Sequence, residues 1–126
     1  MIVFDAGALV ALDRGDRTLW SDLKAAALAG VDVSVPAAVV AQVWRGSARQ
    51  ARLSRALAGC AIASFDDVAR AAGELCGRAG TSDVVDASVA VVAASSGANR
   101  LYTSDPVDLR HLLQTLGARR VKVTRC

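Results

Sequence analysis

Eleven of the twelve acidic residues are aspartates, and four of them stand where short apolar strands should end or apolar helices should begin. Asp5 closes the run Ile2-Val3-Phe4, and Asp105 follows Leu101-Tyr102-Thr103-Ser104. Asp83 and Asp86 are three residues apart at the start of one helical segment, so they share a face. Carboxylates gathered without a countercharge repel and raise one another's pKa, which a fold normally avoids unless a cation binds among them. All-oxygen ligation with retained waters suits a hard divalent ion, Mg2+ or Mn2+, and such an ion suits phosphoryl chemistry.

Each acid also has a plainer reading. Asp83 precedes an apolar helix and fits a helix cap; Asp105 precedes Pro106 and fits a turn residue and cap. Asp5 has no comparable capping sequence, and Asp86 lies inside an otherwise apolar helix, where an unpartnered charge is costly. Asp5 and Asp86 therefore carry most of the argument for a metal.

The elements that must position these acids read as alternating β and α segments. Strands are expected at Ile2 to Phe4 or Asp5, Val33 to Val35, Ala61 to Ser64, Arg100 to Thr103 and Arg120 to Thr124. Between them lie helical runs at Ala8 to Leu12, Arg17 to Ala29, Ala37 to Trp44 behind Pro36, Ala48 to Leu57, Asp66 to Arg78, Val84 to Ser96 and Val107 to Leu116. This alternation predicts a parallel sheet covered by helices, with ligands beyond the carboxyl ends of the strands. The Val84 to Ser96 helix is apolar nearly all round and is expected to be buried between the sheet and another helix or subunit.

With 126 residues, 53% hydrophobic and 21% charged, and a mean hydropathy of +0.35, a single domain over residues 1–126 is expected and a disordered chain is excluded. The uncharged stretch from Ala87 to Asn99 falls short of the roughly 20 residues that span a bilayer, so no membrane helix is expected. Met1 to Asp5 lacks the basic start and long apolar run of a secretory signal, which points to the cytoplasm. Cys60, Cys76 and Cys126, with His111 as the one histidine, suggest neither a disulfide framework nor a zinc site. His111 has no serine or cysteine motif that would make it part of a nucleophilic triad. The net charge is +3, and thirteen of the fifteen basic residues are arginine, a side chain suited to phosphate contacts.

Four segments, Met1-Ile-Val-Phe-Asp-Ala-Gly, Pro36-Ala-Ala-Val-Val-Ala-Gln, Ser82-Asp-Val-Val-Asp-Ala-Ser and Tyr102-Thr-Ser-Asp-Pro-Val-Asp-Leu, resemble the PIN-domain family in content, order and spacing, specifically its small VapC-type toxins. The resemblance spans nearly the whole chain. It implies a three-layer α/β/α domain with a mainly parallel twisted sheet and a metal-dependent endoribonuclease. It further implies the toxin of a toxin–antitoxin pair, held by a small cognate antitoxin and commonly dimeric. Asp5, Asp86 and Asp105 match the family's metal-holding acids and Asp83 an accessory acid, whereas Asp108 fits a position that shapes the helix start. Thr103 and Ser104 are candidate partners for phosphate or metal waters.

One position departs from the family. Gln42 stands where a glutamate is usual, and an amide brings neither charge nor basicity to a metal site. This motivates a second reading, a PIN-like module that binds RNA or a partner with weak or no cleavage. Arg45 and Arg49, three and seven residues beyond Gln42, are candidates to hold the RNA backbone if the helix continues through Gly46; Arg119, Arg120, Lys122 and Arg125 form a second basic stretch. A phosphoacceptor receiver domain would need an acid pair after the first strand and a late lysine beyond a strand, but Ala6-Gly7 follow Asp5 and Lys122 lies inside the last strand.

Overall fold

The computed structural model describes residues 1–126. Five strands, β1 (Ile2–Phe4), β2 (Val33–Pro36), β3 (Ala61–Ala63), β4 (Arg100–Thr103) and β5 (Lys122–Arg125), form one sheet in the order β3-β2-β1-β4-β5. Every pairing is parallel, so the sheet expected to be mainly parallel is wholly so. The chain runs outward from β1 through β2 to β3, then returns to place β4 on the other flank of β1. That reversal makes the gap beyond the carboxyl ends of β1 and β4 the topological switch point, where open parallel sheets bind ligands. The register pairs Phe4 with Tyr102, which brings the residues after them, Asp5 and Thr103, side by side.

Seven helices cover the sheet: α1 (Ala6–Asp13), α2 (Arg17–Leu28), α3 (Ala37–Val43), α4 (Ala51–Ala58), α5 (Ala69–Ala79), α6 (Val84–Ser95) and α7 (Pro106–Leu116). Helix α1 packs on α2, α3 and α4, whereas α5, α6 and α7 pack on one another, giving the three-layer α/β/α arrangement. A core of 27 buried apolar residues joins the layers, with Phe4, Leu9, Leu12, Leu53, Leu75, Leu101 and Leu109 among its largest fully buried side chains. Residues Ala87 to Ala93 of α6 are all buried, and α5, α7, β1 and β2 take up its apolar circumference. No helix is long and apolar enough to cross a membrane.

Four boundaries differ from the sequence reading, and the first two bear on the site. Helix α1 begins at Ala6 rather than Ala8, directly after the strand, and Asp5 is its N-cap. The expectation that Asp5 has no capping role is thereby corrected. Helix α3 ends at Val43, one residue early, and Gly46 adopts a left-handed φ of 70° before a 3-10 turn at Ala48–Gln50. The helix does not run through Gly46, so Arg45 and Arg49 do not share a helical side. Helix α5 begins at Ala69 rather than Asp66, and β5 runs over Lys122–Arg125 rather than Arg120 to Thr124.

Candidate metal centre

Asp5 is almost fully enclosed, at 5% exposure, at the carboxyl end of the central strand. The Ala6 N–H donates to Asp5 Oδ1 at 2.7 Å, and the fully buried Thr103 hydroxyl donates to Asp5 Oδ2 at 2.8 Å. The same hydroxyl accepts from the Asp105 N–H at 3.0 Å. Thr103 therefore ties the first acid to the turn that carries the third, a positioning role for a strand-end hydroxyl. Burial raises the Asp5 pKa against these two hydrogen bonds, and the charges of Asp83 and Asp105 raise it further.

Asp83 and Asp105 are the N-caps of α6 and α7. Asp83 Oδ1 accepts from the Asp86 N–H at 3.0 Å, and Asp105 Oδ1 accepts from the Asp108 N–H at 3.5 Å. The capping reading and the metal reading coexist, because each cap uses Oδ1 and leaves the second carboxylate oxygen for another partner. The positive ends of the α6 and α7 dipoles lie among these acids and offset part of their mutual repulsion.

Asp86 occupies the first turn of α6 and is half-buried. Burial, reinforced by the charges of Asp5, Asp83, Asp105 and Asp108, pushes its pKa from 3.8 up to about 7. A carboxylate so disfavoured at neutral pH is the mark of a site short of positive charge. Carboxylate oxygens of Asp86, Asp105 and Asp108 all lie within 4.8 Å of one another. A recess of about 150 Å3 lined by Thr81, Asp83, Asp86, Asp108, His111 and Leu112 opens beside them. No lysine or arginine lines that recess, and its carboxylate-rich oxygen donors fit a hard divalent cation better than a soft one.

Two residues of this recess were not selected from sequence. Asp108, read there as shaping a helix start, brings its carboxylate to Asp105, and that contact together with the Asp105 charge raises its pKa. His111 lines the recess one turn further on, with Nε2 3.3 Å from the Ala79 carbonyl. The signal was the spacing Asp105, Asp108, His111, which places all three on one face of α7.

The remaining candidates lie around this centre. Gln42 is exposed on the last turn of α3. The Arg45 guanidinium folds back onto that helix end, donating to the carbonyls of Ala41, Gln42 and Trp44 at 2.8–3.1 Å. Gln50 completes the cap, donating to the Val43 carbonyl at 2.9 Å and accepting from the Arg45 N–H at 2.8 Å. Arg49 is exposed on the 3-10 turn, and Ser104 is exposed against Gly7. Glu74, the one glutamate of the chain, is exposed on α5.

A family model of the PIN domain matches residues 2–112. The chain belongs to the PIN-domain family. No curated protein sequence matches it. Among solved structures, the crystal structure of VapBC2 from Rickettsia felis bound to a DNA fragment from their promoter contains a chain that superposes with a TM-score of 0.71 at 16% identity. That match covers 100% of this chain and 99% of the other. At such low identity the likeness concerns the fold, and the fold is the three-layer PIN architecture that the sequence motifs pointed to. In this PIN domain, the switch point of the sheet and the acidic recess coincide.

Proposed function

We propose that this PIN domain is a metal-dependent endoribonuclease that hydrolyses RNA phosphodiester bonds, with Mg2+ or Mn2+ as its cofactor. The observation that carries the reading is the convergence of Asp5, Asp83, Asp86, Asp105 and Asp108 at one switch point, severe enough to push Asp86 up to about 7. Asp86 and Asp105, with Asp5 beneath them and Asp83 in support, would hold the ion, and Asp108 adds a donor at the rim. A divalent cation held there would supply Lewis acidity for activating water and for offsetting charge on the scissile phosphate. The chain's own part is preorganisation: Ala6 and Thr103 fix the Asp5 carboxylate, and Thr103 fixes the Asp105 turn to it.

The same reading makes the protein the toxin of a toxin–antitoxin pair acting in the cytoplasm, with a small antitoxin as partner. Support comes from a structural neighbour that was crystallised as VapBC2. The homodimer implied by the family resemblance is tested by light scattering at micromolar concentration, without antitoxin.

The deciding experiment incubates purified protein with a mixed cellular RNA pool in Mg2+, Mn2+ or EDTA, beside Asp5→Asn and Asp86→Asn. Both substitutions remove a charge while keeping the side-chain shape. The expected result is cleavage that needs the metal and falls by about 10²- to 10³-fold in each variant. Folded protein that cuts nothing in any metal overturns the nuclease reading in favour of a module that binds RNA or a partner, the role that Gln42 favours.

A further inference from the structure

On the α1-α2-α4 side, five cations surround one groove. Arg14 and Arg17 flank the α1–α2 junction, Lys24 lies on α2, and Arg52 and Arg55 lie on α4; Trp20 also lines the groove, whose volume is about 690 Å3. All five cations are exposed, and no carboxylate is among the eleven lining residues. The Trp20 indole is held by its Nε1, which donates to the Leu12 carbonyl at 2.9 Å, and the Arg55 guanidinium stands over the ring, 5.8 Å from its centroid. Two nearby acids have other partners: Asp16 caps α2 by accepting from the Leu19 N–H, and Asp22 accepts from the Tyr102 hydroxyl, whereas Asp13, beside Arg14, keeps a buried Oδ1 without a hydrogen bond.

This groove continues towards the carboxyl ends of β1 and β4. A second depression shares Arg14 and Gly15 with it and extends to Gly7 and Ser104. Ala6, in the same depression, follows Asp5 directly, and Ser104 precedes Asp105. The two depressions together thus run from Trp20, past Arg14 and Asp16, to residues that adjoin Asp5 and Asp105 in the chain.

We propose that this groove is the track for the single-stranded RNA flanking the scissile bond, with Arg14, Arg17, Lys24, Arg52 and Arg55 contacting successive phosphates. The inference rests on the nuclease reading and adds to it where the substrate strand lies. An RNA strand fits because five of the eleven lining residues are cations and none is a carboxylate, a charge that successive phosphates neutralise without reading sequence. A guanidinium already stacked on an indole also suits an unpaired base, which has a π-face of its own.

The test measures binding separately from cleavage. A short fluorescein-labelled single-stranded RNA of mixed sequence is titrated in EDTA over a salt series, by anisotropy, against three proteins. These are the unaltered chain, the variant Arg14→Gln/Arg17→Gln/Arg52→Gln, and a control carrying Arg70→Gln/Arg78→Gln/Arg110→Gln. All six arginines are exposed, and α5 and α7 carry the control set, so the two variants lose equal charge from different faces. The groove variant is expected to bind at least about tenfold more weakly, with a salt slope shallower by about 2, the share of three phosphate contacts on a single strand. The control should stay within about twofold, because charge away from the track contributes only a screened field.

Equal losses in both variants, unchanged binding in the groove variant, or no RNA binding by the unaltered chain overturns the track. Stronger competition by poly-glutamate than by RNA of equal charge overturns it in favour of an acidic protein partner. Cleavage of cellular RNA in Mg2+ separates the two readings. A chain that binds through the groove but cuts nothing keeps the track and loses the nuclease, and a chain that cuts RNA with the groove variant binding normally keeps the nuclease and loses the track.

Discussion

The acidic recess and the basic groove are both dense in charge, yet they hold that charge in different ways. The acids are aspartates, with the shortest ionisable side chain, and helix caps or buried hydroxyls fix Asp5, Asp83 and Asp105 in place. The groove's cations are arginines and a lysine on exposed helix surfaces, and apart from Arg55 over the Trp20 ring they keep long side chains with many rotamers. A small ion demands close and rigid ligands, and under the proposed function it would offset the like-charge repulsion among these acids. A polyanion that must slide into register is better served by mobile cations of overlapping reach. Single changes among the acids should therefore have large effects, and single changes in the groove should have graded and nearly additive ones.

The connection between the two regions is the place where the comparison breaks most sharply. Gly7 lines the depression that runs from the groove towards the Asp105 turn, and a Cβ there would stand 2.6 Å from the Cβ, backbone N and Oγ of Ser104. The Ser104 backbone cannot swing aside cheaply, because the Thr103 hydroxyl fixes the adjacent Asp105 N–H. Gly7→Ala is expected to destabilise the fold by about 3 kcal/mol in denaturant titration, at the upper end for overpacking. It should also reduce cleavage more than groove binding, since the displaced turn carries Asp105. A stability loss within 0.5 kcal/mol, the usual range for surface changes, would mean that α1 and the β4–α7 turn separate easily and that the recess is less rigid than the argument requires.

Repulsion in the recess has a pH signature. The Asp86 carboxyl titrates at about 7 in the folded chain against 3.8 ordinarily, so between those values the folded state holds a proton that the unfolded state releases. Without metal, Asp86 therefore contributes no penalty below about 4, a growing one as pH rises towards 7, and a constant one above. Asp86→Asn removes it and should stabilise the ion-free protein by about 2 kcal/mol at pH 8, a figure reduced for the half-exposed carboxylate's access to water. Thermal melts in EDTA at pH 4 and pH 8 check the sign: the gap between variant and unaltered chain must widen with pH. Saturating Mg2+ should reverse the order, since only the unaltered chain gains full binding energy.

How much of this was legible in the sequence differs between the two regions. The strand–helix alternation and the acids at its junctions could be read because apolar runs end abruptly at Asp5 and Asp105, and because Asp86 interrupts an apolar helix. The cap made by Asp5 was missed because Ala6-Gly7 carries little apolar weight, so α1 seemed to begin at Ala8. The early end of α3 was missed because it depends on Gly46 turning left-handed and on Arg45 and Gln50 closing the helix end. The recess member Asp108 needed the start of α7 set beside α6, and the groove needed α2 and α4 brought together on α1. Those are contacts between segments distant in the chain, which no local pattern encodes.

The smallest expected effect concerns Gln42, the one place where the sequence departs from its family's acids. Restoring a carboxylate with Gln42→Glu adds one negative charge, which for an exposed side chain screened by bulk water at roughly 8 Å is worth about 1 kcal/mol to a divalent ion, or roughly fivefold in affinity. Arg45 reduces even that, because its guanidinium lies on the α3 end, 2.9 Å from the Gln42 backbone carbonyl, and its positive charge there opposes the added negative one. Mg2+ affinity measured by calorimetry is therefore expected to rise by up to about fivefold in Gln42→Glu, and by more when Arg45→Gln is added to release the charge. Unchanged affinity in both would place the end of α3 outside the field of the ion, leaving the recess of α6 and α7 as the whole of the metal centre.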